Sequence, residues 1–424
     1  MTHATEPAPE QNDQFVPVRK SDIVDALVKD DSFEDAAERD KFVRLCDMLA
    51  SIYHYEYFAT LERLRHEYYY FNPETPPHAA VTPAELDRAY DDIVRSLDAV
   101  LKDANFVELP HDAISDAHRR RTLLRVEVST ELSDFREVRF YWRGRHFEQF
   151  AVREWFGLRH RNVEAEVYDD VVLLAATKTK AQIGSRRELR ALERRKIRPG
   201  ALLLKYFRNI ASGDLHALFP NTRVVMTSFD MLFLGLPAIA GGIPILINLY
   251  TTVTVLFLVI GFYLGMSAAV EDKDMKTALT ALSALVALGG FVLRQWVKYQ
   301  RQSLRYQIEL TDNIYYRNVN NNAGIFDYVV GAAEEQECKR ALLAYHFLSN
   351  AEPAPTAAEL DRRIDAWLLA TFGVAVDFRL GDALDKLEQF GLLKRDGERL
   401  FVTPLDTALA ALRHAWDNLL SAEK

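Results

Sequence analysis

The 424-residue chain carries a formal net charge of −9, which disfavours a general nucleic-acid role, because neutralising phosphates takes a basic surface. Hydrophobic residues make up 49% of it and aromatics 11%, enough for real cores and too much for wholesale disorder. Its two cysteines, Cys46 and Cys338, lie far apart, so neither a disulfide framework nor a cysteine-rich zinc site is expected, and soluble parts in a reducing compartment fit best.

Residues 1–31 read as a disordered lead without the apolar core of a signal peptide. Residues 32–180 read as an N-terminal α+β domain. Between Phe33 and Phe71, the residues Phe42, Leu45, Leu49, Ile52, Tyr53, Tyr57, Leu61 and Leu64 keep helical spacing until Asn72-Pro73 stops them. Thr82, an N-cap before Pro83, opens a second helix through Ile93, Leu97 and Leu101. From Arg121 the period changes to two, in Leu124, Val126 and Val128 and again in Val138, Phe140 and Trp142. The spacing predicts an antiparallel meander of four or five strands, with Arg143-Gly144-Arg145 and Tyr168-Asp169-Asp170 as hairpin turns. The interleaved Arg139-Phe140-Tyr141-Trp142-Arg143 resembles a base-stacking surface, but one apolar and one solvated strand face explains it better.

Residues 181–244 form a basic segment ahead of an apolar region. Lys178 to Arg223 holds twelve bases against three acids, a net charge of +9. Arg186, Arg187, Arg194, Arg195, Lys196 and Arg198, with Arg294 and Lys298 further on, are candidate contacts for anionic lipid headgroups; a topology signal with helix solvation explains them equally well. Met231 to Val270 contains no charged side chain, and a second uncharged run, Thr277 to Leu293, follows the short polar link Glu271 to Lys276. The expectation is a two-helix transmembrane hairpin over residues 245–297, with Ile245 to Ala269 as the first span and the polar link as its turn. Gly261, Gly265 and Ala269 would permit close helix approach, against Ser283 and Ala287 in the hairpin or between protomers of a homo-oligomer. Basic flanks outside both runs put both termini in the cytoplasm, giving a multi-pass membrane protein with the lipid bilayer as partner.

Residues 298–333 read as a helical stalk and an Asn-rich turn, and residues 334–424 as a winged-helix-like domain. The candidate recognition helix, Arg379 to Phe390, carries two bases and three acids, and the segment from Glu334 onward eleven bases against sixteen acids. That balance favours a protein partner over DNA. The fold class expected is therefore an α+β membrane protein: helical and antiparallel-sheet N-terminal domain, transmembrane hairpin, winged-helix-like C-terminal domain.

No HExxH, GxSxG, P-loop, GxGxxG or CxxC pattern occurs, so no catalytic residue, cofactor or metal is assigned. Asn318, Asn320, Asn321, Asn322 and Gly324 offer amide oxygens to an ion or phosphate; a capped helix terminus and turn explains them better.

Several longer motifs recur in a fixed order: Leu204-Lys205-Tyr206-Phe207-Arg208-Asn209-Ile210, Asp214, Leu218-Phe219-Pro220-Asn221-Thr222, the Gly-Pro-rich run from Gly235, Tyr306 to Tyr316 with Asn320 to Gly324, and Glu334 to Lys339. Together they resemble the transmembrane protein 143 family, whose function is unknown, over about Glu137 to Leu348. The resemblance implies a membrane protein, mitochondrial in the family's eukaryotic members and, without their Arg-rich transit segment, of a bacterial inner membrane here; it singles out Lys205, Asp214, Asn221, Asn320, Asn321, Asn322, Glu334 and Glu335 as the candidate functional motif. Two functions follow as expectations: a non-enzymatic membrane adaptor or scaffold that engages a protein through its C-terminal domain, or an enzyme or ligand sensor whose site the motif residues form.

Overall fold

The computed structural model describes residues 14–29, 33, 35–75, 82–110, 127–129, 132–154, 159–194, 198–225, 257, 261, 264 and 272–421. In chain order the elements are α1 (Lys20–Val28), α2 (Ala36–Tyr68), α3 (Pro83–Asp103), β1 (Val107–Glu108), β2 (Glu127–Ser129), β3 (Phe135–Glu154), β4 (Arg159–Thr177) and α4 (Arg186–Arg194). Then follow β5 (Leu202–Ala211), β6 (Arg223–Val225), α5 (Asp272–Tyr315), β7 (Asn318–Asn321), α6 (Ile325–Ser349), α7 (Ala357–Phe372), α8 (Asp382–Gln389), β8 (Leu393–Asp396), β9 (Arg399–Val402) and α9 (Leu405–Ser421). Helix starts obey their caps. Asp35 accepts from the Glu38 amide at 2.7 Å ahead of α2, and reciprocal Thr82/Glu85 and Thr356/Glu359 boxes open α3 and α7.

Two compact units divide the described chain, one drawn from residues 1–116, 132–212 and 317–424, the other from 117–131 and 213–316. The first unit is a five-stranded antiparallel sheet of order β1-β3-β4-β5-β7 packed against helices. Tyr141, Val172, Leu174, Leu202, Leu204 and Tyr206 project from one sheet face into a single hydrophobic cluster that runs from Val16 to Leu412. At its centre lies α6, buried on most sides through Phe326, Val329, Ala333, Cys338, Leu342 and Tyr345. The N-terminal α+β region and the C-terminal region, separate domains by sequence pattern, therefore share one core. In the C-terminal region the order helix, helix, two-stranded wing, helix is present, while the strand expected over residues 374–378 is not.

The expected turns at Arg143-Gly144-Arg145 and Tyr168-Asp169-Asp170 are instead mid-strand and face each other. β3 and β4 pair almost end to end, with Arg143 opposite Asp170 and Arg145 opposite Tyr168. Gly144, at φ +66°, lets the Asp169 side chain lie over its Cα, where a Cβ would stand 2.2 Å from Asp169 Oδ2. A glycine beside two arginines thus marks a left-handed residue inside a long hairpin rather than its end.

The second unit contains the β2–β6 ladder and α5. The expected transmembrane hairpin is not seen: among the described residues no helix is long and apolar enough to cross a membrane. The fold class is corrected to a mixed α/β architecture, and the assignment to a multi-pass inner-membrane location falls with the hairpin. α5 supplies the physical reason. Asp272, Lys273, Asp274 and Lys276, read as a turn, are its first helical residues, and Arg294, Lys298 and Arg301 continue it without a break. The uncharged run between them, Thr277 to Leu293, rises only about 25 Å against a hydrocarbon core of roughly 30 Å. Ser283 and Ala287, expected to pack against a second span, are exposed. The first expected span, Ile245 to Ala269, lies outside the described residues apart from Phe257, Gly261 and Leu264, so Gly265 and Ala269 are not described.

Candidate functional site

Sheet register joins two parts of the sequence motif. Lys205 on β5 pairs with Asn321 on β7, and Tyr206 with Asn320, across more than a hundred residues of intervening chain. The asparagines are engaged locally. Asn320 accepts from the Asn321 amide at 2.8 Å and donates to the Gly324 carbonyl at 3.0 Å. Asn318 donates to Asn321 Oδ1 at 3.0 Å, and Asn322, at φ +52°, donates to Glu74 at 2.7 Å. Asn318, Asn320 and Asn321 lie in strand β7, and the 3-10 turn Asn322–Gly324 delivers the chain into α6; the turn is present, but neither it nor α6 carries the expected side-chain cap. Lys205 has no carboxylate partner among the described residues; burial lowers its pKa, and its ammonium lies 6.0 Å from the Phe207 ring centre.

Asp214 and Asn221 belong to the second unit, where both are buried, Asp214 in the 3-10 turn Ser212–Leu218. The motif residues therefore do not all fall within one unit.

Glu334 and Glu335 begin a polar stripe along α6. Glu334 pairs with His54 of α2 at 3.0 Å, and Glu335 with Lys339 at 2.8 Å. Lys339 and Gln336, both buried, hold the backbone of Val16, while Arg340 bridges Glu337 and Asn105. Asn105, in the left-handed region at φ +63°, also donates to Gln14 O and Gln336 Oε1. Burial lowers the Lys339 pKa and raises those of Glu337 and Asp103.

On the sheet side, Arg143 donates to Asp170 at 2.8 Å and to the Ala104 carbonyl at 3.2 Å, with its guanidinium between the rings of Phe15 and Phe106. Sequence reading placed Arg143 in a turn and missed its role. The opposite-charge pairing of Arg143 with Asp170 across two candidate turns was the available signal.

A cavity of about 890 Å³ lies in the same unit, at the end of the sheet where β4 finishes and β3 and β5 begin. The chain after α2 (Tyr70, Phe71), the first turns of α3 (Leu86, Tyr90), the end of β4 (Ala176, Thr177), α4 (Leu189) and the segment Arg198 to Ala201 line it. Arg136 pairs with Asp87 at 3.0 Å and covers the Tyr90 ring at 4.5 Å. Arg198, expected at a lipid surface, instead clamps the carbonyls of Tyr70, Asn72 and Thr75. Thr177 Oγ1 ties the same loop down through Arg198 O at 2.8 Å. Of the other candidate lipid contacts, Arg186, Arg294 and Lys298 are exposed; the side chains of Arg187 and Arg194, and the whole of Arg195 and Lys196, lie outside the described residues.

With this geometry in place, the comparisons add one family. The family described as Protein of unknown function (DUF3754) matches residues 168–324, from the middle of β4 to the turn before α6. The match contains Lys205, Asp214, Asn221 and Asn320 to Asn322 and stops short of Glu334 and Glu335. No solved structure matches the chain.

Proposed function

We propose that this chain is a non-catalytic adaptor that engages a protein partner through its C-terminal region. One observation carries the reading: the outer face of α8 is acidic, and large apolar side chains stand exposed on α7 and β9 of the same C-terminal region. Asp382, Asp385 and Glu388 lie along that face, and Arg395 of the wing reaches Asp385 and Glu388. Leu369 on α7 is 54% exposed and Phe401 on β9 46% exposed. An acidic face repels phosphate backbones, whereas it suits, together with exposed Leu and Phe in the same region, a partner offering basic and apolar side chains. The engagement of the Asn320 to Asn322 amides and of Gln336 and Lys339 within the fold accords with a scaffolding use of the sequence motif.

The test is cross-linking of the full-length protein in cell extract, compared with the double variant Leu369→Asp/Phe401→Asp. The reading expects a specific protein species cross-linked to α7 or the wing and lost in the variant. An identical cross-linking pattern in a folded variant would end it.

A further inference from the structure

The cavity beside the basic segment has a chemistry that the adaptor reading does not use. At about 890 Å³ it falls within the roughly 300–1,000 Å³ of small-molecule sites, and most of its wall is apolar: Phe71, Leu86, Tyr90, Ala176, Leu189 and Pro199. Among the described residues its charged lining is Arg136, Lys180 and Arg198 against Asp87 and Glu193, an excess of one positive charge. These cations differ in what they already hold. Arg136 is paired with Asp87, and the Arg198 guanidinium is occupied by three backbone carbonyls. Lys180 is exposed and, among the described residues, has no carboxylate partner.

We propose that this cavity binds a single-chain amphiphile with a monoanionic carboxylate head, the head at Lys180 and the chain along the Phe71, Leu86 and Tyr90 wall. One negative charge cancels the excess on the lining; a doubly charged phosphate head would overshoot it and face Asp87 and Glu193 as well. The apolar wall selects for chain length, because each buried methylene adds roughly fourfold in affinity, equivalent to about 0.8 kcal/mol. The basic residues that follow in the sequence, Arg186 and Arg190, both exposed on α4, favour approach of an anion.

The experiment is calorimetric titration of the full-length protein, below micelle-forming concentrations, with octanoate, decanoate and dodecanoate, then with 1-dodecanol and dodecyl phosphate. The expected result is a dissociation constant that falls roughly fourfold per methylene, with dodecanoate at least about tenfold tighter than either alternative head. Lys180→Glu, a surface change that leaves the wall intact, is expected to weaken dodecanoate about tenfold or more and leave dodecanol unchanged. Leu86→Trp, which fills the wall, is expected to weaken both. No binding of any chain, or equal binding of acid and alcohol, overturns the proposal; tighter binding of dodecyl phosphate overturns its monoanionic head. A retained response in Leu86→Trp shows that binding occurs elsewhere and overturns the assignment to this cavity.

Discussion

Gln336 and Val16, 320 residues apart, exchange two hydrogen bonds: Val16 N donates to Gln336 Oε1 and Gln336 Nε2 donates to Val16 O, each at 3.1 Å. One side-chain amide thus does for the N-terminal segment what a neighbouring strand would do. Because Asn105 Nδ2 donates to the same Oε1 at 3.1 Å, Gln336→Leu leaves two donors without their acceptor. The expected loss is about 2–4 kcal/mol in urea unfolding, with faster proteolysis near Phe15 in the folded state. If the segment stays protected and the midpoint stays put, the amide clasp does not hold it.

The ion pair between Arg143 and Asp170 is the most buried in the described sheet region, with side chains 8% and 7% exposed. Among the described residues, Arg143→Met leaves Asp170 only the solvent-exposed Arg208, 3.2 Å away, as an ion-pair partner, so it is expected to cost about 1–3 kcal/mol. Adding Asp170→Leu is expected to restore part of that loss, since the double variant no longer buries a carboxylate that has lost its most buried partner. Equal losses in the single and double variants would assign the effect to lost packing between Phe15 and Phe106 instead.

At Gly144 the cost is in the backbone as well as in space. Gly144→Ala places a Cβ against the Asp169 carboxylate at a φ of +66°, and a loss of about 2–3 kcal/mol is expected. Asp169→Ala in the same chain removes the clash but not the left-handed strain, so it should recover only part. A full recovery would show that the strain is negligible, and no loss in Gly144→Ala would remove the left-handed glycine as a constraint on the hairpin.

The ends of α2 and α3, the C-terminal helices and the wing were legible in the sequence because caps and period act locally: Thr82 and Glu85, or Thr356 and Glu359, settle a helix start without help from elsewhere. Arg143 and Asp170 were not, since the residues that make them interior, Phe15 and Phe106, lie far from them in the chain. The reading of Glu271 to Lys276 as a turn failed for a related reason. Short charged stretches are compatible with either a turn or a first helical turn, and only the continuation of α5 decides between them. Of the candidate motif, the sheet joins Lys205 to Asn321, while the cavity draws its walls from residues the motif never included.

Lys205 gives the pH-dependent consequence of that register. Its folded pKa lies below the ordinary 10.5 because burial penalises the charged form, so over the interval up to 10.5 the unfolded chain binds the proton that the folded chain has lost. Stability then rises with pH across that interval, and at lower pH the fold carries a charged, desolvated lysine at a cost. Lys205→Met is expected to be more stable than the parent at neutral pH, with the advantage shrinking as pH approaches 10.5. Lys339 is shifted the same way, but it is present in both proteins, so the difference between their stability curves isolates Lys205. Urea unfolding at a series of pH values provides the check. Parallel curves would mean that the Lys205 ammonium is solvated in the folded protein, and a less stable variant would mean that it has a favourable partner there.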